Sequence, residues 1–173
     1  MIHRHKLMRI RAQVKNELQH LALNQAVQKK RRLWSEAGQK LLRELPLRPW
    51  TGWRREDLLK LMSTLDRQIA LLDQAVKEAA EQNENARLLM SQPGVGPVTS
   101  LAFALTMGGV SRFPRGKQVA SYLGLIPSEY SSSGHQRFGS ISKLGNRFLR
   151  MLLMEAAQVA VRYDPEFRRE YLH

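Results

Sequence analysis

Apolar residues recur at three- and four-residue steps along the first fifty residues, a spacing that predicts amphipathic helices. Basic residues fall between them and occupy the other positions. The apolar positions of the first helix are Leu7, Ile10, Val14, Leu18 and Leu21. A second helical stretch is predicted from about Gln25 to Leu45, with Pro46 and Pro49 ending it. Residues 1–54 are therefore expected to form a basic helical arm whose last part, residues 46–53, is a connector.

The apolar pattern sharpens from Arg55 onward, where steps of four and three residues alternate for three heptads. This seam consists of Leu58, Met62, Leu65, Ile69, Leu72, Val76 and Ala79. Such a pattern is typical of a coiled coil or a long helical hairpin. The heptad helix, residues 55–86, has as its partner either the first arm folded back or another chain. It therefore serves equally well as a core helix of a bundle or as a dimerisation arm.

A compact module is predicted over residues 87–173, where Gly, Pro and small residues become frequent. Residues 88–102 have the form of an apolar helix end, a Pro-Gly-Val-Gly turn and a second apolar helix, which is the helix-hairpin-helix pattern. Gly94 and Gly96 permit a tight turn, so that amides of the next helix can reach a phosphate. A plain helical hairpin is the alternative. The predicted fold class is mainly α: an extended helical or coiled-coil arm, then this module, which includes a short polar loop or β-hairpin near residues 128–140.

The charge of the chain favours a polyanionic partner, because 28 Lys and Arg residues against 15 Asp and Glu give a net charge of +13. Residues 1–55 hold 14 basic and 3 acidic side chains, whereas residues 56–90 hold 4 and 7. Nucleic acid is the expected partner, ahead of a solvated basic face or an anionic membrane. The chain lacks Cys, a membrane-length apolar run and a secretion signal, so we expect a cytoplasmic protein and no membrane partner.

The segment around Asn146 predicts an anion site. Asn146 is a good N-cap for a helix with an apolar face, yet Arg147 and Arg150 fall in its first turn. Cations there oppose the helix dipole at about 0.3–1 kcal/mol each, so a bound anion is expected, with Lys143 joining them. Plain exposed arginines are the alternative reading. Further cations expected to contact the nucleic-acid backbone are Arg112, Lys117 and Arg137.

Other chemistry is sparse in the sequence. The five His residues lack metal-ligand spacing, and the carboxylates do not form a cluster for magnesium, so no metal site is predicted. Asp57, Asp66 and Asp73 look like solvated charges on the heptad helix. The Ser131-Ser132-Ser133-Gly134 run, taken alone, is typical of a flexible loop.

Five motifs occur in order along the module. They are residues 92–99 (Gln-Pro-Gly-Val-Gly-Pro-Val-Thr), Arg112-Phe113, residues 122–127 (Tyr-Leu-Gly-Leu-Ile-Pro), Ser133-Gly134, and residues 141–150 (Ile-Ser-Lys-Leu-Gly-Asn-Arg-Phe-Leu-Arg). Together they resemble the C-terminal half of the insertion-sequence 110/116/902 family of bacterial transposases. The resemblance is strong over residues 87–173 and looser over the helical arm.

The resemblance implies a DNA recombinase in which a serine of this module attacks DNA. By motif that serine is Ser133, with Ser131 and Ser132 as rivals because the loop is a residue longer than in some members. The family also implies a structured guide RNA and an RNase H-like domain with four metal-binding acids, and we expect homo-oligomerisation through the coiled coil. Magnesium would belong to that acidic domain, so no cofactor is expected in this chain. Since no acidic domain precedes Met1 and a closing basic helix is missing after His173, we interpret the chain as a transposase fragment or truncated gene product.

Two other functions remain open at this stage. The chain could be a non-catalytic nucleic-acid-binding module in which the helix-hairpin-helix and the basic arm bind the backbone while the serine loop is inert. A structural coiled-coil protein is the third hypothesis.

Overall fold

A computed structural model describes residues 1–27, 32–132 and 135–172 of the chain. These ranges form eight α-helices and one two-stranded sheet. The helices are α1 (Ile2–Leu23), α2 (Glu36–Glu44), α3 (Pro49–Gln82), α4 (Glu84–Met90), α5 (Pro97–Met107), α6 (Gly116–Tyr122), α7 (Arg147–Tyr163) and α8 (Pro165–Leu172), and the strands are β1 (Pro127–Glu129) and β2 (Phe138–Ile141). The prediction of a mainly α fold is confirmed.

The chain divides into two compact units, Met1–Gln74 and Ala75–His173. The predicted boundaries at 54/55 and 86/87 differ from this division. They separated the basic arm from the heptad helix, whereas the two share one hydrophobic core in the structure. The reason is physical: an amphipathic helix such as α1 buries its apolar stripe against the nearest complementary stripe, and the heptad helix supplies one.

The core of the first unit lies between α1 and α3. Leu7, Val14, Leu18 and Leu21 are buried as their spacing predicts, and Ile10 is the exception with 41% of its side chain exposed. From α3, the core receives Leu59, Met62, Leu65 and Ile69. Met62, Leu65 and Ile69 of the seam therefore pack in one core with α1, within a single chain, whereas Ala79 is exposed. Homo-oligomerisation through the seam stays a prediction.

Ion pairs show that α1 and α3 run antiparallel. Arg4 pairs with Asp73, and Arg11 pairs with Asp66. Nearer the other end of each helix, Glu17 pairs with Arg54. Asp66 and Asp73 are thus ion-pair partners and not the purely solvated charges expected from the sequence. Because these pairs are partly exposed, they add little stability individually and mainly favour the antiparallel alignment.

The segment between α1 and α3 differs from its prediction in two places. The helical stretch expected from Gln25 to Leu45 is, within the described residues, a short 3-10 helix at Arg32–Trp34 followed by α2. The basic residues Lys29, Lys30 and Arg31 lie outside the described residues. The connector expected at residues 46–53 is shorter, because α3 already begins at Pro49. Proline is well suited to the first position of a helix, where its missing N–H has no partner to lose.

The second unit is built on α5 and α7, which pack against each other. Leu101 and Ala102 of α5 are buried, as are Leu149, Leu152, Ala156 and Ala160 of α7. Small residues on α7 allow close helix approach. Asn146 caps α7 as predicted, its side chain accepting a hydrogen bond from the Leu149 N–H at 3.0 Å. Asp164 ends α7 and accepts hydrogen bonds from the first amides of α8.

The polar segment between α6 and α7 contains the β-hairpin that was expected as one of two forms. β1 and β2 pair antiparallel, with Pro127 opposite Ile141 and Glu129 opposite Phe138. Pairing continues beyond β1, because the Tyr130 N–H donates to the Arg137 carbonyl at 2.8 Å. Of the serine run, Ser131 and Ser132 follow this pairing, and Ser132 forms an isolated bridge with His135.

The internal seam makes a prediction about stability. Leu65→Ala removes a buried side chain and should lower the free energy of unfolding by about 2–5 kcal/mol, as measured by urea denaturation. Leu71→Ala, on the exposed side of the same helix, is the matched control and should change it by less than about 0.5 kcal/mol. A Leu65→Ala chain that keeps its stability but sediments as a smaller species than the wild type would place the seam between chains instead.

Candidate nucleic-acid interface

A buried arginine organises the region where the candidate site lies. The Arg150 side chain is only 8% exposed, in the first turn of α7. Its guanidinium donates hydrogen bonds to three backbone carbonyl oxygens: Leu123 at 2.7 Å, Leu144 at 2.8 Å and Lys143 at 2.9 Å. A buried charge is tolerable only when its donors are satisfied, and these carbonyls satisfy it. Three of its five donors therefore join the loop after α6 to the loop before α7. The phosphate contact expected of Arg150 stays a prediction.

Two glycines allow those loops to approach. A Cβ added to Gly124 would lie 2.1 Å from the Leu144 carbonyl oxygen, and one added to Gly145 would lie 2.2 Å from the Tyr122 carbonyl oxygen. Both glycines also have positive φ values, of 65° and 82°. A side chain at either position would be unfavourable for two reasons: the positive φ value disfavours it, and the neighbouring loop leaves no space for it. Two of the sequence motifs, residues 122–127 and 141–150, thus contribute to one structural junction.

Lys143 has an unusual backbone in the same junction. Its φ of 56° lies in the left-handed region, which is unfavourable for a residue with a side chain. The Lys143 N–H donates to the Gly124 carbonyl at 3.1 Å, while its own carbonyl accepts from Arg150. Hydrogen bonds at both the N–H and the carbonyl of Lys143 stabilise this strained conformation. They therefore fix the position of the backbone atom that carries the lysine side chain.

A groove of about 850 Å³ lies beside the junction. Its lining includes the predicted anion-binding residues Lys143 and Arg147, both of which are exposed, and the edge of Arg150. The other lining residues are Ile141, Gly145, Met151, Met154, Glu155 and Gln158. The first turn of α7 contains no acidic residue. The positive end of the helix dipole and the exposed cations Lys143 and Arg147 therefore present positive charge together. Glu155 sits one to two turns further along the helix.

The helix-hairpin-helix glycines have a different environment from the one expected. α4 and α5 do form two helices joined by a turn, and Gly94 has a φ of 79° in that turn. However, a Cβ on Gly94 would lie 2.3 Å from the Ala156 carbonyl oxygen of α7. The structure therefore shows Gly94 in close approach to another helix, and phosphate binding at Gly94 stays a prediction.

Gly96 differs from Gly94. It is the N-cap of α5, and a Cβ there would meet nothing within 4 Å. Pro97 follows it and has no N–H, while the Ser100 N–H is bonded to the Gly96 carbonyl at 3.0 Å. Only the Val98 and Thr99 amides are left to bind an anion at this helix end. Phosphate binding at Gly96 stays a prediction.

The remaining predicted cations do not line the groove. Arg112 donates to the Met107 carbonyl at 3.1 Å, at the end of α5, and lies over the rings of Phe113 and Tyr122. Carbonyls at a helix C-terminus attract cations, so this contact stabilises α5. Lys117 and Arg137 are exposed, on α6 and beside β2 respectively. The structure brings neither together with Lys143 and Arg147 in that groove.

Among the described residues of the serine run, Ser131 is the one with side-chain hydrogen bonds. Ser133 and Gly134 lie outside the described residues, and the residues on either side of them, Ser132 and His135, pair through backbone hydrogen bonds of 3.0 and 3.3 Å. The Ser131 hydroxyl donates to the Glu129 carboxylate at 2.6 Å and accepts from the Arg137 N–H at 3.2 Å. Sequence analysis missed Glu129. Its position two residues before Ser131, on one face of an extended strand, was the available signal.

The described residues contain neither a metal-ligand cluster nor a helix suited to crossing a membrane. Within residues 1–27, 32–132 and 135–172, no group of three or more His, Asp or Glu side chains could hold a metal ion. In the same ranges, none of the helices combines the length and the apolar character that crossing a membrane requires.

Arg147 and Arg150 lie in the same helical turn, but we expect them to contribute very differently to the free energy of unfolding. Arg150→Met leaves three carbonyls without their donor and should lower the free energy of unfolding by about 3 kcal/mol or more. Arg147→Met, three residues earlier on the same helix but exposed, should cost less than about 0.5 kcal/mol. Urea denaturation of both variants measures the difference. Equal stability of the two would contradict the structural role of Arg150.

Comparison with known sequences places the second unit in a recognised group. The sequence model described as the Transposase IS116/IS110/IS902 family matches residues 86–172. The chain is 34% identical over 117 residues to a "Probable family 20 transposase" of Pseudomonas aeruginosa, an alignment that covers 68% of this chain and 35% of that protein. It is also 34% identical over 98 residues to the "Transposase for insertion sequence element IS1111A" of Coxiella burnetii, covering 57% of this chain and 27% of the relative.

A third relative extends the similarity. The "Insertion element IS116 uncharacterized 44.8 kDa protein" of Streptomyces clavuligerus is 30% identical over 118 residues, which cover 67% of this chain and 29% of that protein. The chain therefore spans between about a quarter and a third of the length of these curated relatives.

Proposed function

Since the chain belongs to the IS116/IS110/IS902 family of transposases, we propose that it is the part of a DNA transposase that holds the DNA backbone and supplies a serine nucleophile, Ser133. The observation that carries the proposal is the groove in which Lys143 and Arg147 are exposed beside the Arg150 junction. Two exposed cations at an acid-free helix start suit a phosphate group.

The Arg150 junction gives the groove a defined shape. In this proposal Arg150 acts through the frame, since three of its donors are bound to carbonyls. It fixes the backbone from which Lys143 projects and the helix from which Arg147 projects. A site whose cations start from fixed positions loses less conformational entropy when it binds a phosphate than one on mobile loops.

In the proposed reaction, the Ser133 hydroxyl oxygen attacks a backbone phosphorus atom of DNA. The bond between serine oxygen and phosphorus forms as one DNA phosphorus–oxygen bond breaks, and the departing strand end leaves as a hydroxyl after taking up a proton. The serine proton passes to a base. Lys143 and Arg147 would stabilise the negative charge that develops on the phosphate oxygens.

DNA binding by the groove has a measurable electrostatic signature. Arg147→Ala should weaken duplex DNA binding regardless of sequence and reduce the slope of log K against log[salt] by about one, because one phosphate contact is lost. Arg162→Ala, on the last turn of the same helix, is the control and should leave the slope unchanged. Fluorescence anisotropy at several salt concentrations measures both. Equal slopes for Arg147→Ala and the wild type would remove the groove from the DNA interface.

The nucleophile is tested by trapping it. A suicide DNA substrate, incubated with the chain, Mg²⁺ and the acidic domain of a full-length relative supplied in trans, should yield a covalent protein–DNA adduct. Ser133→Ala should abolish the adduct, while Ser131→Ala and Ser132→Ala should retain it. Denaturing gels with peptide mapping identify the linked residue. An adduct that persists in Ser133→Ala would disprove the assignment, and loss of the adduct only in Ser131→Ala would move the role to the serine that Glu129 contacts.

A further inference from the structure

Two tryptophans are exposed together at the start of α3. Trp50 is 82% exposed and Trp53 is 65% exposed. They lie three residues apart, on one side of the helix, with ring centroids 6.3 Å apart and ring planes at 81°. Tryptophan is on average a highly buried residue, and exposed apolar patches tend to mark interaction sites. The pair therefore requires an explanation other than folding of the first unit.

The third tryptophan of the chain shows the contrast. Trp34 packs against the hydrophobic core of the first unit, and the Lys15 ammonium lies 5.0 Å from its ring centroid. The other residues of that core are Leu, Val, Ile, Ala and Met side chains, most of them from α1, α2 and α3. Neither Trp50 nor Trp53 belongs to it. Their rings are available to a partner.

The charge around the pair indicates what that partner is. Residues 46–55 contain three arginines and no acidic residue. Arg54 pairs with Glu17, and Arg55 binds Glu56 and two carbonyls at the end of α2. Arg48 is exposed and has no ion pair among the described residues. Exposed aromatic rings two and five residues after an exposed arginine match a ligand that combines flat apolar surfaces with negative charge.

We infer that Trp50, Trp53 and Arg48 form a binding platform for unpaired nucleotides. Bases of a single strand can stack on exposed aromatic rings, and the adjacent phosphates can bind arginine. A duplex hides its base faces in its own stack, so it cannot use the rings in this way. RNA and DNA single strands offer the same chemistry, and the experiment separates them. The inference does not rest on the proposed function, because it concerns another unit and another ligand form.

The test uses the full chain and three labelled probes: oligo(dT), oligo(U), and a duplex of equal length. Trp50→Ala and Trp53→Ala should each lower the affinity for the single strands about five-fold or more. They should leave the salt slope unchanged, because stacking releases no counterions. Arg48→Gln should instead reduce the single-strand salt slope by roughly 0.7. Leu71→Ala, an exposed apolar residue on the same helix, is the control and should change neither quantity.

Each alternative partner gives a different outcome. Unchanged single-strand affinity, or an equal loss for the duplex, would overturn the inference. So would tryptophan variants that alter only sedimentation, which would indicate a second copy of the chain, or only binding to phosphatidylserine vesicles, which would indicate a membrane surface. A stronger effect with oligo(U) than with oligo(dT), or the reverse, supports the inference and identifies the nucleic acid. Arg147→Ala tests the proposed function separately, since it should weaken duplex binding and leave tryptophan quenching by oligo(dT) intact.

Discussion

The three hydrogen bonds from the Arg150 guanidinium to the Leu123, Lys143 and Leu144 carbonyls constrain the backbone beside the proposed DNA-binding groove. They join two loops that are far apart in sequence and attach both to the first turn of α7. Without a donor of this reach, three inward-facing carbonyls would be left unpaired, which is costly in a buried setting. Arginine suits the position because its planar fork carries five donors in a fixed arrangement, whereas lysine offers one nitrogen.

The residues of the family motifs therefore divide into two groups by what they contact. Gly94, Gly124, Gly145 and Arg150 contact protein backbone, and Asn146 caps α7. Lys143 and Arg147 are exposed beside the groove. The first group forms the frame, and in our proposal the second group contacts DNA. In our proposal, this frame and its few exposed cations would position the strand without reading its bases.

Local patterns predicted the parts of the structure that depend on local physics. The heptad spacing identified α3, Asn146 identified the start of α7, and the polar segment allowed the hairpin. The parts that depend on distant contacts were not predictable: nothing near Arg150 indicates that its partners lie at residue 123, and nothing near Gly94 indicates that its neighbour is Ala156. The sequence also did not determine that α1 packs against the seam. A heptad pattern looks the same whether its partner helix lies in the same chain or in another chain. For the exposed tryptophans, the sequence pattern suggested only a connector.

Hydrogen–deuterium exchange of the full chain, with and without duplex DNA, tests the central claim most directly. The account predicts that DNA slows exchange in residues 141–149, around Lys143 and the start of α7, and leaves the α4–α5 turn at residues 91–96 unaffected. Protection confined to residues 91–96, with none at 141–149, would contradict it and restore the helix-hairpin-helix as the phosphate-binding element.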